Sequence, residues 1–146
     1  MPEPQNYKNH VRFDPPWHFF IAPMMLLNVI ASVVATVHYW PRHRAVFVWW
    51  IIMAIVLLMA VSKARSHSLK AQDRLIRLEE RLRFAALLPP DLLARSQALT
   101  EEQYIALRFA SDAELPALVQ RTLNENLSQK QIKESVTNWR PDYFRV

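Results

Sequence analysis

The chain has 146 residues, a net charge of +5, ten prolines, no cysteine and no glycine. Without cysteine there are no disulfides, thiolate metal sites or cysteine nucleophiles, and redox usage says nothing about compartment. Average usage would supply roughly ten glycines, and their absence argues against positive-φ hairpin turns, Rossmann loops and P-loops together. The expectation is an all-α chain punctuated by proline.

The charge is unevenly spread. Residues 1–62 carry a net +2, residues 63–87 a net +4 and residues 88–146 a net −1. A nucleic-acid module would place its excess on the soluble part. Here the excess follows an apolar run, where basic side chains meet anionic headgroups at about 1 kcal/mol each. No nucleic-acid partner is expected. Lys63, Arg65 and Lys70 are the headgroup candidates.

Residues 1–16 form an N-terminal segment expected to lie in the cytoplasm and at the interface. His10, Asp14 and His18 stand four apart, a weak metal-binding pattern that Pro15 and Pro16 interrupt. No cofactor is expected. A transmembrane hairpin is expected over residues 17–62. No Asp, Glu, Lys or Arg lies between Asp14 and Arg42, a stretch of 27 residues, and a second uncharged run covers residues 45–62. Eighteen helical residues reach about 27 Å, close to the thickness of a hydrocarbon core. Spans are therefore expected at about residues 17–40 and 45–62. A secretory signal is disfavoured, because the preceding flank holds two acidic residues and another apolar run follows almost at once.

Four residues at 41–44 join the spans, which forces an antiparallel pair. Aromatic residues cluster at this turn, and Trp17 marks the opposite interface. Lys8, Arg12, Lys63, Arg65, Lys70, Arg74 and Arg77 flank the other ends, against Arg42 and Arg44 in the turn. Seven against two predicts both termini in the cytoplasm. Asn28, Ala31, Ser32, Ala35 and Thr36 form a small, polar stripe at helical spacing, expected to pack in the membrane against the second span or another subunit. Pro23 predicts a kink, or the point where an interfacial segment gives way to the span.

The second span is expected to continue into a long cytoplasmic helix, basic beside the membrane over residues 63–88 and ended by Pro89 and Pro90. Leu75, Leu78, Leu82 and Ala85 repeat with 3-4-3 spacing, a coiled-coil-like seam of about two heptads for the chain's own tail or a partner. Residues 89–146 read as short cytoplasmic helices. Thr100 with Gln103, Ser111 with Glu114 and Ser128 with Gln131 fit capping boxes, although Pro116 offers a later start for the third helix. So small a region is expected to lean on the long helix, the membrane surface or a partner. Trp139, Tyr143 and Phe144 give the tail an anchor-like composition. Paired acids such as Glu79-Glu80 and Glu101-Glu102 read as solvated helix positions, and no catalytic triad has motif support.

Residues 5–10 (QNYKNH) with 13–19 (FDPPWHF), residues 73–83 (DRLIRLEERLR), residues 105–112 (IALRFASD) with 114–116 (ELP), and the ending IK through NWR at 132–140 resemble an uncharacterised bacterial family of two-span membrane proteins. The resemblance covers nearly the whole chain. It implies a bacterial inner-membrane location and supplies no activity. Together these readings lead to the expectation of a non-enzymatic integral membrane scaffold or accessory subunit, with membrane lipids and a protein partner or further copies of itself as partners. A regulatory or sensory adaptor and a homo-oligomeric pore are the alternatives.

Overall fold

The computed structural model describes residues 5–9, 14–40 and 42–142. Contacts divide the chain into two units, Arg12–Leu69 and a second formed by Met1–Val11 with Lys70–Val146. All regular elements among the described residues are helical.

In the first unit, Pro15 and Pro16 open a helix rather than interrupt one. Proline suits a first turn, where its missing N–H would have no partner. Pro16–Ile21 form a π-helical turn that runs into α1, Ala22–His38. The Ala22 N–H donates to the Trp17 carbonyl, five residues back. Pro23 follows immediately, and its ring and missing N–H account for the wider turn at this place. The second helix, α2, is unbroken over Arg44–Leu87.

Both Pro16–His38 and Arg44–Leu87 are long and apolar enough to cross a membrane, each with an 18-residue window of mean hydropathy 2.2 and 2.6, respectively. Only 6% of each apolar window is buried within the chain, whereas a soluble core helix would be mostly covered. Side chains join the two helices. Trp50 Nε1 donates to Asn28 Oδ1 at 3.2 Å, and the Tyr39 and Phe47 rings stack at 5.3 Å. Ser32 is fully buried, and its hydroxyl donates to the Val29 carbonyl at 2.7 Å. Thr36 donates likewise to the Ser32 carbonyl, so both hydroxyls are satisfied within their own helix. The polar stripe is narrower than expected: Asn28, Ala35 and Thr36 are half-buried beside Ser32, and Ala31 faces outward.

In the second unit, residues 70–87 of α2 pack with α3 (Pro90–Ser96), α4 (Glu101–Leu107), α5 (Leu115–Glu125) and α6 (Gln129–Ser135). Pro89 is extended and Pro90 begins α3, the arrangement in which proline both ends one helix and starts the next. Thr100 and Ser128 form the capping boxes expected of them. Ser111 does not. The Glu114 carboxylate instead accepts from the Thr137 N–H and hydroxyl at 2.9 and 2.8 Å and from the Asn138 N–H at 3.2 Å. The helix accordingly starts at Leu115, with Pro116 in its first turn. At its other end Asn126 takes the left-handed conformation at φ 49°, a role glycine usually fills.

The core contains Phe84, Tyr104, Leu107, Leu115, Val119 and Ile132, all essentially without exposure. Phe84 stacks on Tyr104 at 5.2 Å, so the long helix supplies a central ring to the bundle. The buried hydroxyls of Tyr104 and Thr122 are satisfied nearby: Tyr104 donates to the Ser96 carbonyl and Thr122 to that of Leu118. Along α2 the inward positions are Ile76, Glu80 and Phe84, with Leu88 just past the helix end. At about 100° per residue the Leu75, Leu78 and Leu82 seam falls on the opposite side. These leucines are 55%, 55% and 66% exposed, and Ala85 is exposed as well.

Loss of a real cap should be felt and loss of a false one should not. Thr100→Ala and Ser128→Ala are each expected to cost about 1 kcal/mol. Ser111→Ala should stay within about 0.5 kcal/mol, as a side chain that caps nothing. Urea-dependent pulse proteolysis of the full chain in detergent measures all three.

Candidate functional site

The densest charge constellation surrounds Glu80. This residue occupies the inward face of α2 and is only 3% exposed, which corrects its reading as a solvated position; Glu79 beside it is exposed. Glu80 Oε2 accepts from Arg83 Nη1 at 3.1 Å, and Arg140 Nη1 lies 3.4 Å from Oε1. Arg83 is the nearer of the two partners. It also reaches Asp112 Oδ1 at 2.6 Å and the Ala110 carbonyl at 2.7 Å. One guanidinium therefore ties α2 to the segment following α4.

The C-terminal segment closes over the same place. The Arg140 N–H donates to the Phe109 carbonyl at 2.7 Å, and the Ser111 N–H to that of Asn138 at 3.1 Å. Trp139 packs on the Phe109 ring at 4.9 Å, and Arg108 lies over the same ring with its guanidinium carbon 4.5 Å from the centroid. Arg108 is buried and its Nε stands 3.1 Å from Asp142 Oδ2. Gln5 completes the edge: its Oε1 accepts from the Asp142 N–H at 2.8 Å. Between these groups lies a cleft of about 640 Å³ whose lining includes Ile76, Glu80, Arg83, Arg108, Pro141 and Asp142.

Burial raises the Glu80 carboxyl above the ordinary glutamate value of 4.5, against the opposing pull of Arg83, Arg140 and Arg108. Asp73 is also raised from 3.8, first by burial and then by repulsion from Glu101, with Arg108 opposing. Glu80, Asp112 and Asp142 are each matched by a guanidinium, so this network compensates itself. Its chemical capacity is to fix position: it fastens α2, the segment after α4 and the C-terminal segment to one another.

The other expected site residues are dispersed. Asp14 is an ion-pair partner: Arg65 Nη1 stands 2.7 Å from its Oδ2, and the Arg65 guanidinium carbon lies 4.9 Å from the Trp17 ring centroid. Arg65 is thereby paired within its own unit. His18 Nδ1 lies 2.8 Å from the Asp14 carbonyl oxygen. His10 lies outside the described residues, and no metal-holding group of three or more is present among the described ones. Trp139 is partly buried against the core, while Tyr143 and Phe144 lie outside the described residues. Sequence reasoning missed Arg83, Arg108 and Gln5. Beyond the local contacts of Arg83 with Glu80 and Arg108 with Phe109, their partners lie 27 to 137 residues away, outside any local periodicity. A signal for Glu80 existed: it stands four residues from both Ile76 and Phe84.

A sequence model for a family of unknown function, DUF6526, matches residues 1–146. The chain belongs to DUF6526. No curated protein and no solved structure matches it. The DUF6526 match spans both units, so the apolar helices and the charged cleft belong to one family sequence.

Two predictions concern the buried network. Arg83→Ala is expected to cost about 3 kcal/mol, because it leaves a buried carboxylate without its main partner; Glu80→Gln removes the buried charge and should cost less than about 1 kcal/mol. Glu80 also sets a pH dependence. Its folded pKa lies above its unfolded value, so its contribution to stability increases as pH falls through the folded pKa and levels off below 4.5. Wild type should therefore gain stability relative to Glu80→Gln between pH 7 and pH 4.5 in paired urea titrations.

Proposed function

We propose that the chain is a non-enzymatic integral membrane scaffold or accessory subunit of the bacterial inner membrane. In this reading the hairpin anchors it, both termini lie in the cytoplasm, and the helical second unit presents an interaction surface there. One observation carries the proposal. The unbroken helix α2 begins as an exposed apolar span and ends with exposed leucines, while Ile76, Glu80 and Phe84 fill its inward face. The first region needs lipid around it, and the second needs a protein surface. The orientation follows from the basic residues that flank the ends of the spans away from the turn.

The absence of native cysteine makes topology directly readable. Cysteine placed at Arg44 should react with an impermeant maleimide in intact cells, and cysteine at the exposed Gln120 only after lysis. Reaction of the Gln120 site in intact cells would contradict the orientation. The scaffold role predicts that the wild-type chain leaves the membrane in mild detergent as part of a larger assembly. That assembly should be lost in the doubly substituted Leu78→Glu, Leu82→Glu chain. A wild-type chain extracted alone would argue against the role.

A further inference from the structure

We infer that the occupant of the leucine seam is a second copy of this chain, aligned in parallel. The inference rests on the anchoring proposed above, because copies inserted with one orientation send α2 in one direction. It also rests on charges beside the seam. With Leu75 and Leu82 at the first heptad position and Leu78 and Ala85 at the fourth, Arg74 precedes the first core position and Glu79 follows the fourth. Both are exposed, and neither enters an ion pair among the described residues.

In a parallel two-stranded seam, the position before one core layer faces the position five residues later on the other strand. Arg74 of each copy then meets Glu79 of the other, making two symmetric pairs. An antiparallel seam sets Arg74 against Arg81, two like charges. The rest of the heptad fits as well. Ile76, Glu80 and Phe84 occupy its outer positions and are buried in the bundle, so the bundle packs on the side away from the seam, with Leu75 and Glu79 at the edge of the cleft. Two heptads hold weakly in free solution. Confinement of both copies to one bilayer raises their effective concentration and makes the seam sufficient.

The test uses the full cysteine-free chain reconstituted in vesicles, with flotation of the same sample to report insertion. Oxidative cross-linking should give dimers from Leu78→Cys at several-fold the yield of Gln120→Cys, a site on the exposed face of α5. Arg74→Glu should lower that yield, and the added Glu79→Arg should restore it. Mixed Leu75→Cys and Leu82→Cys chains should form dimers at like positions only. Equal yields from positions 78 and 120 in chains that float would overturn the second copy while leaving the anchor intact. Efficient cross-links between positions 75 and 82 would overturn the parallel alignment. Failure to float would instead overturn the anchoring on which the inference rests.

Discussion

Two helices of this chain carry apolar surface that the chain itself does not cover. Side chains such as Phe19, Leu26, Val34, Val46, Trp49 and Met59 are largely exposed, and at about 25 cal/mol per Å² their hydration is costly. The rest of the structure follows from where that surface can go. A helix satisfies its own backbone, so it can bear apolar side chains on every face in a solvent without hydrogen bonds. Three polar groups of the first helix are likewise satisfied nearby: Ser32 and Thr36 bond to their own helix, and Asn28 accepts from Trp50.

The second unit solves a different problem. A small set of short helices has little apolar surface to bury and gains stability by borrowing from α2. Phe84 provides the ring on which Tyr104 stacks, and Arg83 reaches across to Ala110 and Asp112. The buried Glu80 is tolerated because guanidiniums approach it from its own helix and from the C-terminal segment. Removing one member of such a network exposes the desolvation cost of the rest, which is why its parts act as a set.

Much of this was legible in the sequence. The two apolar runs, the helix continuing past the second of them, the stop at Pro89-Pro90 and the caps at Thr100 and Ser128 are local signals, and the helices follow them. The candidate site was less legible. Ser111 with Glu114 has the spacing of a capping box, yet Thr137 and Asn138 claim the carboxylate from 23 and 24 residues away. The leucine repeat on α2 marks one face, whereas the packed face is the series Ile76, Glu80 and Phe84, in which a charged residue interrupts the apolar pattern. Proline behaved by position: Pro15 and Pro16 start a helix because they stand where an N–H is not needed.

Alkaline extraction of cell membranes tests most directly whether lipid covers the apolar helices. High pH strips peripheral proteins and leaves spanning ones in the pellet. The account predicts that the full chain remains in the membrane pellet and is released only by detergent. Recovery of the chain in the aqueous supernatant, folded and without detergent, would contradict it.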